Sequence, residues 1–125
     1  MNFGKQEKPI FVRADQRGEF KELINSGKWE SLISGNMKKG SIMGRHYHKY
    51  TNVYFHLLSG KVAIKTLDIK TGEKKTDSLE ANQGYIFKPQ EVRVIEYLED
   101  GQFLMMKSHR YDPKEPDLID YKEDF

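Results

Sequence analysis

The segment GRHYHKYTNVYFHLLSGKVAIKTLDI, residues 44–69, decides how the chain folds. Short runs of apolar and β-branched residues stand on both sides of Ser59 and Gly60, and no stretch repeats with the 3.6-residue period of a helix. Such runs, separated by Gly, Asn or Ser, are typical of antiparallel strands joined by tight turns. The segment therefore predicts neighbouring strands of an all-β domain.

The same alternation of short apolar runs and turn residues continues along the rest of the chain, without an internal repeat or a low-complexity segment. Residues 61–75 predict a hairpin whose turn lies at Thr71 and Gly72. A series of short strands with such turns favours an antiparallel sandwich or barrel with little helix. The candidate strands cover residues 10–13, 20–24, 29–33, 41–47, 53–58, 62–67, 85–88, 92–98 and 103–107.

Composition limits the classes of protein that the chain can belong to. A length of 125 residues fits one domain. The absence of cysteine excludes disulfides, thiolate nucleophiles and cysteine-ligated zinc. No apolar run approaches the ~20 residues of a membrane-spanning helix, and the first ten residues lack the apolar region of a secretory signal. We therefore expect a cytoplasmic protein.

The charge is nearly balanced, with 21 Lys and Arg against 19 Asp and Glu, which gives a net charge of +2. The basic residues are spread along the chain instead of forming a stripe. This distribution is typical of a solvated surface. We expect neither a nucleic-acid partner nor a membrane partner.

Residues 112–125 form an acidic C-terminal segment with two prolines. Frayed termini are common, but this one contains Leu118, Ile119, Tyr121 and Phe125, which a frayed tail does not need. The segment is therefore either an arm that packs on the barrel or on a partner, or a frayed end.

The densest cluster of reactive side chains is His46, Tyr47 and His48. Side chains at positions i and i+2 of a strand share a face, so His46 and His48 point one way while Arg45, Tyr47 and Lys49 point the other way. Two imidazoles inside a barrel mouth would form a metal site or an acid–base site. The alternative is that both face solvent.

Residues 44–60 resemble the first motif of the cupin family, which has a glycine, the pair H-x-H, a glutamate and a glycine that closes a hairpin. This chain has both histidines and Gly60, but Val53 or Asn52 stands at the glutamate position. The second cupin motif would fall between Gly84 and Val94 and has no histidine here. The resemblance implies one cupin-type jelly-roll barrel over residues 1–125, with residues 112–125 as a C-terminal arm.

The usual metal site of a cupin uses three histidines and one glutamate, and this chain has two of these four ligands. A catalytic zinc or iron site needs about three protein ligands. His56 would be a third ligand only if its strand were adjacent and its side chain pointed inward. We therefore expect no bound metal and no cofactor.

A narrower resemblance is to metal-independent cupins that act on nucleotide-linked 4-keto sugars. The segment DQRGEF, residues 15–20, is similar to the D-x-R-G-x-F motif of dTDP-4-dehydrorhamnose 3,5-epimerases. The sequence HYHK, residues 46–49, looks more like the H-A-H-K of dTDP-sugar 3,4-ketoisomerases. The ending RYDPKEPDLIDYKEDF resembles the closing segment of the same ketoisomerases.

This resemblance implies a proton transfer beside a ketone, with His46 and His48 as catalytic acid–base groups. Neutral imidazole, with a reference pKa of ~6.5, suits that reaction. In the epimerases the base stands at the position of His46, and an acid tyrosine stands near Tyr111. The residue that orients the base has no counterpart here, which leaves Glu91 and Glu96 as candidates. The candidate substrate-binding residues are Arg17, Lys65, Lys88 and Arg93.

Three hypotheses follow. The first is an isomerase or epimerase of a nucleotide-linked 4-keto-6-deoxy sugar, with dTDP as the expected nucleotide, in surface polysaccharide or deoxysugar biosynthesis. The second is a non-catalytic cupin that binds a carbohydrate or a nucleotide sugar, and the third is a metal-dependent cupin enzyme. A homodimer is expected, in which residues near Arg17 reach the pocket of the partner.

Overall fold

The computed structural model describes all 125 residues and contains twelve strands and no helix. The prediction of an all-β chain with little helix is therefore confirmed. No helix is present that has the length and apolarity to cross a bilayer. The strands are β1 (Gly4–Gln6), β2 (Phe11–Asp15), β3 (Gly18–Glu22), β4 (Ser31–Met37), β5 (Ile42–His48), β6 (Val53–Ser59), β7 (Lys61–Asp68), β8 (Lys74–Glu80), β9 (Gln83–Phe87), β10 (Glu91–Tyr97), β11 (Gly101–Lys107) and β12 (Leu118–Asp120).

Ten of the strands form two five-stranded antiparallel sheets. The first sheet has the order β1-β9-β6-β11-β4, and the second has the order β12-β5-β10-β7-β8. Their inner faces share one apolar core, because buried residues of both sheets belong to a single cluster. Burial of this cluster is the main stabilising contribution to the sandwich. Its members are Val53, Phe55, Leu57, Val62, Ile64, Leu79, Tyr85, Phe87, Ile95, Tyr97, Phe103 and Met105.

The strands predicted from apolar runs are present, although some bounds differ. The predicted hairpin over residues 61–75 is the β7–β8 pair, which extends further, to Glu80. β3 begins at Gly18 instead of residue 20, because Asp15 pairs with Gly18 across a two-residue turn. β1 and β12 were not predicted, because a three-residue strand is too short to show the two-residue alternation by which strands are recognised.

The β2–β3 hairpin stands apart from both sheets. Its strands pair only with each other, and every residue in them is exposed. Apolar side chains lie on its surface, since Phe11 is 45% exposed and Phe20 is 57% exposed. An isolated two-stranded hairpin is at best marginally stable in water, so this hairpin needs a further surface to pack against.

A β-bulge in β5 sets the direction of the side chains that follow it. Val94 of β10 pairs with Gly44, and Arg93 pairs with His46, so Arg45 is an extra residue. Gly44 has φ +110° and Arg45 has φ +61°. One extra residue reverses the alternation of a strand. Because Met43 packs against the core, the residues that point inward beyond the bulge are His46 and His48.

The C-terminal arm packs against β5 and the bulge. β12 pairs with β5, and Asp120 lies opposite His46. The backbone N–H of Tyr121 donates to the carbonyl of the bulged Arg45 at 2.9 Å. The guanidinium of Arg45 points outward and forms an ion pair with Asp124 at 3.2 Å. The arm therefore lies along the same strand that carries the histidines.

We predict that Gly44→Ala destabilises the fold much more than Gly40→Ala. Both glycines have positive φ, which costs an L-residue ~1–2 kcal/mol. A Cβ on Gly44 would lie 2.2 Å from the carbonyl oxygen of Arg93, whereas a Cβ on Gly40 would meet nothing within 4 Å. Overpacking of this kind adds ~1–3 kcal/mol. Urea unfolding of the two variants measures the difference, and equal free energies of unfolding would contradict this account of the bulge.

Candidate functional site

His46 and His48 lie side by side at one end of the jelly roll. Both point into the space between the sheets; His46 is half-buried, and His48 is 6% exposed. Their ring centroids are 6.3 Å apart and their planes are nearly perpendicular. The two imidazoles thus share one face of β5, as their spacing predicted.

A carboxylate from the arm orients His48. Oδ2 of Asp117 lies 2.8 Å from Nδ1 of His48 and also accepts a hydrogen bond from the hydroxyl of Thr51, while Oδ1 accepts the N–H of Tyr50 at 2.8 Å. Burial raises the pKa of Asp117, but these hydrogen bonds outweigh burial and the net pKa is lowered. Asp117 is therefore ionised, Nδ1 of His48 carries the proton, and Nε2 keeps its lone pair.

Both histidines are neutral at physiological pH. Burial, followed by the charge of Arg93, lowers the pKa of His46 to about 4. The same two causes lower the pKa of His48 to about 4, although Asp117 acts in the opposite direction. A base must be unprotonated before it reacts, so both imidazoles are available as proton acceptors.

Arg93 is a buried guanidinium without a carboxylate partner. It is 3% exposed, its Cζ lies 5.3 Å from the ring centroid of Phe87, and its Nη2 lies 3.4 Å from Nε2 of His48. Burial lowers the pKa of Arg93 to about 10, partly offset by the charge of Glu91, so the group stays cationic. A buried charge of this kind is costly unless a ligand or a partner compensates it.

Lys107 brings a second positive charge to the same end of the molecule, from the opposite sheet. It is the last residue of β11, it is half-buried, and it lines a cleft together with His48 and Asp117. Burial and the charge of Arg93 lower the pKa of Lys107. No carboxylate lies within ion-pair distance of its ammonium group, since the nearby Asp117 is bonded to other groups.

The cleft at this end is narrow. Its volume is about 50 Å³, and Lys107, residues 109–112 and Asp117 form much of its wall. Tyr111 is one of the lining residues, but 78% of its surface is exposed. A wider groove of about 430 Å³ lies beside Met1, Lys5 and Gln6, where no histidine or carboxylate lines it. The chemistry therefore concentrates at the narrow cleft.

Of the four predicted substrate-binding residues, only Arg93 lies beside the histidines. Lys65 is exposed on the outer side of β7, because it alternates with the inward Ile64 and Thr66. Lys88 is near the same end, but its Nζ is bound to Asp68 at 2.6 Å. Arg17 is in the turn of the β2–β3 hairpin and pairs with Asp15 at 2.7 Å.

His56 lies on the other face of the first sheet. Its neighbours on β6, Phe55 and Leu57, belong to the core, so His56 points away from it and its Nδ1 lies 2.8 Å from the hydroxyl of Tyr54. It therefore cannot join His46 and His48. No group of three or more His, Asp or Glu side chains is arranged to hold a metal ion.

The sequence analysis missed three residues of the site: Asp117, Thr51 and Lys107. Neither Glu91 nor Glu96 orients a histidine, because Glu91 accepts the N–H of Lys88 and Glu96 is exposed. The signal for Asp117 was its position directly before two apolar residues in the arm, which is where a short strand could begin. No local signal marks Lys107, since its role depends on how the two sheets face each other.

The arrangement can move a proton beside a group that becomes negatively charged. His48 offers a lone pair whose orientation is fixed by Asp117, and His46 offers a second neutral imidazole on the same face. Two uncompensated cations stand near both rings. Cations placed where negative charge develops stabilise a transition state strongly in a water-poor site.

A family profile described as "Polysaccharide biosynthesis C-terminal domain" matches residues 13–119. No curated protein sequence matches the chain.

Several solved structures are similar in fold. The capsular polysaccharide assembling protein CapF from Staphylococcus aureus is 24% identical with a TM-score of 0.67, over 92% of this chain and 33% of CapF. A dTDP-4-dehydrorhamnose 3,5-epimerase from Sulfolobus tokodaii is 19% identical with a TM-score of 0.73, over 86% of this chain and 70% of the epimerase. The 3,4-ketoisomerase QdtA from Thermoanaerobacterium thermosaccharolyticum is 21% identical with a TM-score of 0.73, over 95% of this chain and 88% of QdtA.

These likenesses confirm the predicted cupin-type jelly roll and its resemblance in fold to the sugar-nucleotide epimerases and ketoisomerases. The chain spans about a third of the length of CapF.

Proposed function

Because the chain belongs to the polysaccharide biosynthesis C-terminal domain family, we propose that it is an isomerase or epimerase of a nucleotide-linked 4-keto-6-deoxy sugar. The reaction would be a metal-independent proton transfer beside the ketone, in polysaccharide biosynthesis. One observation carries the proposal: a neutral histidine with a fixed tautomer stands next to a buried guanidinium that has no carboxylate partner. Structures of the same fold include a ketoisomerase in complex with TDP-4-keto-6-deoxyglucose. We place the reaction in the cytoplasm.

In this proposal, His48 is the base. Its Nε2 takes a proton from a carbon beside the ketone, and Asp117 stabilises the imidazolium that forms. The proton returns from His48 to carbon, and His46 serves as a second proton acceptor on the same face. The resemblance to the epimerases implies His46 as the base, but the carboxylate contact belongs to His48, and we therefore assign the first proton transfer to His48.

Arg93 would bind the ketone oxygen and stabilise the enolate. Its charge is not compensated in the free protein, so an oxygen that gains negative charge during the reaction becomes its partner. Contacts of Lys88 and Lys65 with other parts of the substrate stay predictions. Nζ of Lys88 is bound to Asp68, and Lys65 faces outward.

Substrate entry requires the segment of residues 108–117 to move. The cleft of about 50 Å³ is far smaller than the ~300–1,000 Å³ of typical ligand pockets. This segment carries both Tyr111 and Asp117, so its return over a bound sugar would restore the contact between Asp117 and His48. Tyr111 would then be placed to act as an acid, the role that the resemblance implies.

We predict that His46→Asn and His48→Asn each lower the exchange of solvent deuterium into a dTDP-4-keto-6-deoxyhexose by ~10²–10⁴-fold, the usual contribution of an acid–base group. Tyr47→Phe, on the outward face of the same strand, is the matched control and should exchange like the parent. Proton NMR of the recovered sugar measures the exchange, and circular dichroism checks that each variant folds.

Two outcomes would replace this proposal. A parent protein that binds the nucleotide sugar but exchanges no deuterium would be a non-catalytic binding cupin. Exchange that disappears on treatment with a chelator and returns with one specific metal would identify a metal-dependent enzyme.

We also propose that the protein is a homodimer in which the β2–β3 hairpin packs on the partner and brings Arg17 to its cleft. The hairpin exposes Phe11 and Phe20 and has no sheet of its own to cover them. The edge strand β4 exposes Leu32 at 66%. Exposed apolar patches and open sheet edges mark association surfaces.

Light scattering at micromolar concentration should therefore give the mass of a dimer. Phe20→Ser should shift the population toward monomer, because it removes apolar area from the contact. Lys65→Ser, on an exposed strand outside the hairpin, should not change the mass. A monomeric parent would contradict the homodimer.

A further inference from the structure

One cation is enough to stabilise a single enolate, and the site contains two. Arg93 comes from the second sheet, and Lys107 comes from the first sheet. Neither forms an ion pair with a carboxylate, although both are at least half-buried. Asp117 forms an ion pair with neither cation, because its oxygens accept hydrogen bonds from His48, Thr51 and Tyr50.

We propose that Lys107 is a further catalytic residue, and that Arg93 and Lys107 together bind the two adjacent oxygens of an enediolate. The proposal rests on the proposed function and makes it more specific. Epimerisation beside a ketone places negative charge on one oxygen. Movement of the ketone to the neighbouring carbon places negative charge first on the original ketone oxygen and then on the oxygen of the neighbouring carbon. Arg93 and Lys107 come from opposite sheets and both lie beside His48, which fits the second reaction.

His48 removes the proton from the hydroxyl-bearing carbon beside the ketone; the C–H electron pair forms a C=C bond, and the carbonyl π pair moves to the ketone oxygen, which Arg93 binds. The neighbouring hydroxyl then transfers its proton to that oxygen, and the negative charge comes to lie on the oxygen that Lys107 binds. That oxygen re-forms a C=O bond, and the C=C pair takes the proton from His48. No oxidant or reductant is needed.

The position of the two cations supports this division of roles. Nη2 of Arg93 lies 3.4 Å from Nε2 of His48 and donates to it in the free protein, so Arg93 is beside the atom that removes the proton. Lys107 lines the cleft that His48 and Asp117 also line. Lys107 forms no ion pair and is near the like charge of Arg93, so we expect it to contribute little to stability in the free protein.

The test compares Lys107→Met with the parent on a dTDP-4-keto-6-deoxyhexose, and measures the position of the carbonyl by ¹³C NMR and exchange of solvent deuterium. We expect the parent to move the ketone to the adjacent carbon. Lys107→Met should slow that movement by ~10²–10³-fold, the effect of removing one oxyanion contact, while deuterium exchange continues. Lys107→Arg should restore much of the rate, and Lys74→Met, at an exposed lysine at the start of β8, should match the parent.

Stability and substrate affinity separate this role from others. The melting temperature of Lys107→Met should be unchanged or higher, because a like-charge neighbour of Arg93 is removed; a lower one would indicate a structural role and overturn the proposal. A change in KM alone, together with weaker binding of free dTDP, would assign Lys107 to the diphosphate. An epimer with the ketone in its original place would overturn the proposal but leave the proposed function intact. No exchange by the parent would overturn both.

Discussion

The β-bulge at Gly44 and Arg45 is the constraint on which the site depends. A regular strand would continue the alternation set by Met43 and direct Arg45 and Tyr47 inward. The extra residue directs His46 and His48 inward instead, and the close approach of Gly44 to the carbonyl of Arg93 fixes the neighbouring strand. Bulges are often found next to active sites because they redirect side chains in this way. The carbonyl of the bulged residue also anchors the arm.

The electrostatics of the site follow from burial. An imidazole in a water-poor cleft, close to a guanidinium, holds no proton at neutral pH, and this applies to both His46 and His48. Asp117 then decides which nitrogen of His48 is available. The cost is a buried Arg93 whose charge is not compensated, which lowers stability unless a ligand binds. In sites of this kind, charged groups held in the geometry of the reaction lower the stability of the fold.

Much of the fold could be predicted from the sequence, but only part of the site. The two-residue period of short apolar runs indicated the strands, and the H-x-H spacing placed His46 and His48 on one face. The direction of that face could not be predicted, because a single extra residue reverses it. Lys107 ends β11 and Asp117 directly precedes β12, and only long-range pairing brings them to the histidines. Lys65 was predicted to bind substrate but is exposed. The presence of a lysine in a strand does not indicate which face of the sheet its side chain occupies.

The tautomer and titration of the two histidines, followed by ¹⁵N NMR of the histidine-labelled protein, test the central claim most directly. The account predicts that His46 and His48 are neutral at pH 6 and titrate with a pKa of about 4. It also predicts that the proton of His48 is on Nδ1, towards Asp117, with Nε2 unprotonated. A titration near the ordinary pKa of ~6.5, or a proton on Nε2 of His48, would contradict the account, because His48 would then have no oriented lone pair with which to act as a base.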